Sequence, residues 1–335
     1  MIPSYCRWVL IALLAVMLAE GCTKDPVSPE PVGWLPRNVG LGSLYVQCLA
    51  VDPFDEKVLF VGTFGGLFRS GDAGHSWKAS GEGITSIDIS AIALSPFRRG
   101  EVLCGTWGKG VFFSEDGGQS WAARSNGLRS PRVTAVAFDS HDSTRIYAAT
   151  TDGMFTSVDR GQHWVLCFPY GNVRGMAVHP TEAQVLFVGV EYHGVLKSED
   201  GGQAWQPKNT GLHLTEGAYD APWDIAFDPV DTKVLYAATG VVDLHKSEDG
   251  GETWRLADVG LDWRRVRQVA IDRADHLRLY VATDRGVMQS SNGGASWMTM
   301  NDGLRCENVR AVLATSMGVF AGTYGGGVFF HAANR

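Results

Sequence analysis

Cysteine is scarce in this 335-residue chain, with six in all. Cys48, Cys104, Cys167 and Cys306 are scattered, at neither metal-ligand spacing nor the density of a disulfide framework. Small buried apolar residues are their plain reading, with a single disulfide left open. The nine histidines are dispersed, and no His-Glu-x-x-His, Gly-x-Ser-x-Gly or phosphate-cradling glycine loop occurs. No metal and no cofactor is therefore expected. No basic run stands out and the formal charge is −7, which argues against nucleic acid as a partner. Long apolar runs are missing except for Trp8–Ala19, whose twelve residues fall short of the about 20 that a membrane-spanning helix needs.

That one run, preceded by Arg7, reads as the core of an export signal over residues 1–22. It ends in Leu18-Ala19-Glu20-Gly21-Cys22, which resembles a bacterial lipoprotein cleavage site. Gly21 fits the pattern, whereas Ala19 and Glu20 fit it less well. The resemblance makes Cys22 the lipidated first mature residue; the alternative is an ordinary secretory signal and a secreted protein. Thr23 after the cysteine then implies the outer membrane in a bacterium with two membranes, so membrane contact is expected through the lipid anchor only. Residues 23–31 (T-K-D-P-V-S-P-E-P) read as an extended polar tether.

What the chain does have is glycine, tryptophan and one repeated phrase. It is most complete as Ser247-Glu248-Asp249-Gly250-Gly251-Glu252-Thr253-Trp254, with further copies ending at Trp77, Trp121, Trp164, Trp205 and Trp297. Each copy is predicted to be a tight corner between two strands. The acid accepts backbone N–H groups downstream, and glycine supplies a positive φ. The tryptophan anchors the next strand. Asp72, Asp116, Asp159, Asp200, Asp249 and, in the sixth copy, Asn292 are accordingly read as structural staples rather than catalytic groups. Arg160 replaces the first glycine of the third copy. The phrase resembles the Asp-box, or bacterial neuraminidase repeat, of sialidases, xyloglucan hydrolases, sortilin-type receptors and photosystem II assembly factors. The resemblance implies a β-propeller and leaves function open, because those families do unrelated things.

Counted from Trp34, the tryptophans at 34, 77, 121, 164, 205, 254 and 297 recur every 41–49 residues. A period in the low forties with several short strands per unit indicates propeller blades. Blade strands are predicted at Val133–Phe138, Arg145–Thr150 and Gly153–Ser157, with a tryptophan-led fourth. The last unit ends after its third strand, and the orphan strand at Trp34 supplies the missing fourth. The expected fold is all-β: residues 32–335 form a seven-bladed β-propeller of four-stranded antiparallel blades, the last closed by the N-terminal strand.

In this strand order the turns between second and third strands share one rim with the blade-to-blade connections. Aligning first strands puts Gln47, Ser90, Thr134, Arg174, Trp223, Arg267 and Arg310 at one equivalent position near the channel mouth. Trp107, Tyr192 and Asp284 lie in turns of the same rim. The 49-residue repeat adds an insertion there, 213–224, and unusual loop length on a rigid scaffold points to function. Arg174, Arg267, Arg310, Trp223, Trp107, Tyr192 and Asp284 are thus candidate ligand contacts for a protein or carbohydrate carrying an acidic group. The plain alternative is solvated loop charges, with Trp223 in the core. A non-catalytic recognition or assembly module, acting as a monomer displayed from the cell envelope, is the favoured function. The alternative is a sialidase- or xyloglucanase-like glycoside hydrolase using Glu216, Tyr219, Asp220 and Asp224. Against it, the arginine motif near the start of sialidases is absent, and Phe64 stands where xyloglucan hydrolases tend to carry Asp.

Overall fold

A computed structural model describes residues 33–333 apart from 216, 217, 220, 240–243 and 263. The expected leader, Cys22 and the tether lie outside the described residues, as do Glu216 and Asp220. Every regular element among the described residues is a strand, and these form seven four-stranded antiparallel blades with one small extra hairpin. The third blade runs Val133–Phe138, Ile146–Thr150, Gly153–Ser157 and Val165–Phe168, each strand beside the next. Its two middle strands are almost wholly buried, because neighbouring blades cover both of their faces.

The seventh blade joins the chain's two ends. Val309–Thr315, Gly318–Thr323 and Gly327–Ala332 are completed by Leu35–Pro36, with Leu35 opposite Phe330 and Pro36 opposite Phe329. Trp34 is 2% exposed, and its indole N–H donates to the Met300 carbonyl of the sixth blade. Among the described residues the apolar core is divided into seven clusters, each shared by adjacent blades. One of them sets Ala311, Phe320 and Val328 of the seventh blade against Val46, Leu59 and Trp77 of the first. The ring is therefore closed, which removes the free sheet edges of an open array.

The repeated corner works on both sides of the blade boundary. Asp116 Oδ1 accepts from Ser114 Oγ (2.8 Å) and from the Gln119 and Ser120 N–H groups (2.9 Å each), while Oδ2 accepts from Ser120 Oγ (2.6 Å). Hydrogen bonds from Ser76 and Ser120 foremost hold the Asp72 and Asp116 carboxyls down at about 2. In the sixth copy the Asn292 amide does the same work, Oδ1 accepting from Ser290 Oγ and Ser296 N and Nδ2 donating to Ser296 Oγ. The corner tryptophan then reaches back, as when Trp164 Nε1 donates to Arg124 O and Trp254 Nε1 to Lys208 O, both at 2.8 Å.

Both residues after the acid take positive φ, and at the Asp116 corner only the second is sterically closed. At Gly118 (φ +84°) a Cβ would lie 2.6 Å from the Phe60 ring of the preceding blade, whereas at Gly117 (φ +74°) it would meet open space. Ala73 and Arg160 occupy the open position at φ 59°. Arg160 repays that strain by reaching the buried Glu101 at 3.4 Å.

Candidate functional site

Six of the seven first strands slip register by one residue near the start, at Gln47, Ser90, Thr134, Arg174, Arg267 and Arg310. The slipped residue has no partner on the second strand, and such a bulge re-aims its side chain. In the fifth blade Trp223 stands just before the strand, its N–H donating to Ala238 O at 2.7 Å. All seven residues line one cavity of about 250 Å³ on the channel. Small polar residues from blades one to three make one side. Their hydroxyls are tied to the next blade, Ser90 to Val133 O and Thr134 to Val173 O, both at 2.6 Å. Arg174, Trp223, Arg267 and Arg310 make the other side.

These three cations are held differently. Arg174 donates to Glu191 Oε1 at 2.8 Å, and that bond foremost draws the Glu191 carboxyl below its usual range. Trp223, 38% exposed, has the Arg174 and Arg267 guanidinium carbons 5.6 and 5.2 Å from its ring, and Arg310 lies 4.7 Å from the ring of Tyr324. Guanidinium over an aromatic face is a favourable cation–π arrangement. Arg267 and Arg310 form no ion pair among the described residues, and the Nε of each is buried without a hydrogen-bond partner. Burial first, then repulsion from Arg310, lowers Arg267 to about 10, and burial likewise lowers Arg310. Both remain charged at neutral pH.

Asp224 is the only carboxylate among the described residues lining this cavity. Its Oδ2 accepts the Val269 N–H at 2.9 Å, tying the fifth blade to the sixth, and burial pushes its carboxyl up to about 6. The next blade repeats the tie with Gln268 Oε1 and Val312 N–H, also at 2.9 Å. This matching geometry makes the Asp224 contact an inter-blade brace. Paired glycosidase carboxylates must flank a bond at about 5–9.5 Å, and Asp220, the other candidate, lies outside the described residues.

The remaining candidates ring the mouth without lining this cavity. Trp107 is 42% exposed and bridges to Arg132, and Asp284 Oδ1 caps the Arg265 N–H at 3.1 Å. Tyr192 stands 71% exposed at φ 66° and bridges to Tyr219 on the extra hairpin, Leu214–Thr215 with Ala218–Tyr219. Tyr324, with Tyr45 and Phe64 packed edge-on against it at 5.1 and 5.7 Å, belongs beside them. Sequence reasoning missed Tyr324 as the support of Arg310 and Glu191 as the partner of Arg174. The only signal available was their place in the variable turns of this rim.

No protein-family model matches this chain, and no curated protein sequence does. Solved structures do. A GH74 xyloglucanase from Xanthomonas campestris superposes with a TM-score of 0.68 at 19% identity, over 89% of this chain and 53% of its own. YCF48 bound to D1 peptide superposes with 0.70 at 16%, over 91% and 98%. The extracellular domain of a one-component system from B. thetaiotaomicron gives 0.70 at 13%, over 89% and 39%. The chain spans about half the length of the GH74 proteins it matches. At these identities the likeness carries the propeller fold alone.

Proposed function

We propose that this propeller is a non-catalytic recognition or assembly module that binds an acidic group of a protein or glycan at its mouth. The observation that carries the reading is the pair Arg267 and Arg310: two buried-stem guanidiniums, stacked on Trp223 and Tyr324, facing one cavity without a carboxylate partner among the described residues. Arginine presents a planar fork of donors that matches carboxylate, sulfate or phosphate oxygens. The exposed rings of Trp107, Tyr192 and Trp223 add apolar faces around it. Arg174, already neutralised by Glu191, positions Trp223 and contributes less charge.

A binding and hydrolysis panel of acidic glycans and peptides tests this. The reading expects binding without turnover, weakened about tenfold or more by Arg267→Ala or Arg310→Ala, the scale of one charge-assisted contact. Equal binding by both variants would remove the cavity from consideration. The hydrolase reading has one observation in its favour, the Asp224 carboxyl at about 6, a value suited to proton donation. Hydrolysis abolished by Asp224→Asn or Asp220→Asn would establish it instead. Display from the envelope rests on the resemblance around Cys22; incorporation of labelled fatty acid, absent in Cys22→Ala, is its check.

A further inference from the structure

Among the described residues, three blades carry a cation in the third strand just before the corner serine, each lying over an aromatic ring of the second strand. Arg69 lies 5.9 Å from Phe60, Lys197 5.8 Å from Phe187, and Lys246 5.6 Å from Tyr236. In the fourth and fifth blades the glutamate two residues later neutralises it: Lys197 meets Glu199 at 2.8 Å, and Lys246 meets Glu248 at 2.9 Å. The fifth blade is the closer parallel. There Lys246 stands directly across from Arg255, and the single Glu248 carboxylate bridges both, reaching Arg255 at 3.0 Å.

The first blade has the same cross-strand pair of cations, Arg69 opposite Lys78, but Gly71 where the glutamate belongs. Like charges directly opposite on a sheet repel unless something sits between them. Neither Arg69 nor Lys78 forms an ion pair among the described residues, and the Arg69 Nε is buried without a hydrogen-bond partner. A Cβ at Gly71 would lie 3.6 Å from Arg69 Nη1, so a side chain there would run alongside the guanidinium. The space left open is part of a cavity of about 540 Å³ between the first and second blades, on the rim opposite the mouth. Two acids border it. Asp72 is committed to Ser70 and Ser76, and Glu82 pairs with neither cation.

We propose that this groove is a second ligand site, in which a carboxylate supplied from outside the chain bridges Arg69 and Lys78 as Glu248 bridges Lys246 and Arg255. The site is independent of the mouth, and its failure would leave the reading of Arg267 and Arg310 untouched. Two sources of the carboxylate, a uronic acid and an acidic side chain, present the same oxygens.

The test titrates the protein with glucuronate and, separately, with an acetylated and amidated glutamate, following the NMR signal of the Arg69 Nε–H. A saturable shift with either ligand supports the site, and the ligand that acts names the source. Gly71→Glu supplies the carboxylate internally, so the variant should bind at least about tenfold more weakly, the scale of one charge-assisted contact. It should also melt no lower than wild type. Glu248→Gly should create a second responding groove at Arg255. No shift in the wild-type protein, or unchanged affinity in Gly71→Glu, overturns the proposal.

Discussion

Gly118 and Gly117 are adjacent, both at positive φ, yet they face different surroundings. Gly118→Ala must push a methyl into the Phe60 ring as well as strain the backbone, and is expected to cost about 2–4 kcal/mol. Gly117→Ala carries only the backbone strain, about 1 kcal/mol. Urea melts of the two variants check the difference, and equal losses would refute the steric part. His245 is a residue-scale anomaly of another kind. It is 1% exposed, holds the place taken by Phe112, Phe155 and Leu196 in other blades, and has neither ring nitrogen hydrogen-bonded among the described residues. Burial lowers its pKa from 6.5 to about 4. Because the folded value is depressed, its contribution is present above pH 6.5 and lost as pH falls from 6.5 through 4. His245→Leu should therefore stabilise the protein, by more at pH 5 than at pH 8. Asp72 and Asp116, held at about 2 against 3.8, are lost later, as pH falls from 3.8 through 2. Asp224 has the opposite sign: raised to about 6, its contribution is full below 3.8 and lost as pH rises through 6. Asp224→Asn should thus gain on wild type as pH rises from 4 to 7.

The element that organises the molecule is the corner between third and fourth strands, and its reach across the blade boundary explains its regularity. Trp164→Phe keeps the apolar bulk but leaves the Arg124 carbonyl without its indole donor, an expected loss of about 1–3 kcal/mol in a denaturant melt. This element was legible because its chemistry is local: Ser, Asp and Gly determine one another's geometry over eight residues. The strands of the third blade follow for the same reason, Val133–Phe138 and Gly153–Ser157 falling where the apolar runs place them. What was not legible lies in contacts between side chains distant along the chain. The Glu191 partner of Arg174 and the ring of Tyr324 under Arg310 each join a blade's first strand to its own second-to-third turn, and the brace from Asp224 to Val269 joins two blades; residue spacing reports none of these contacts. The meaning of Gly71 was equally hidden. Its substitution for glutamate is plain in the sequence, but the cations it leaves unbridged appear only once Arg69 and Lys78 are set side by side.

At the scale of the whole molecule, the channel mouth exists only if seven first strands are arranged in a ring, because the cationic side of its cavity is assembled from blades four, six and seven. That ring depends on one strand of two residues, Leu35–Pro36, and on Trp34 buried behind it. Loss of a buried tryptophan alone costs about 3–5 kcal/mol, a large share of an ordinary domain's stability. The most direct measurement is equilibrium denaturation of the protein beside a form lacking residues 33–43. A closed sevenfold ring predicts a transition shifted markedly to lower denaturant, together with loss of ligand binding at the mouth. An unchanged midpoint with binding intact would contradict the closure and, with it, the assignment of Arg174, Arg267 and Arg310 to a common site.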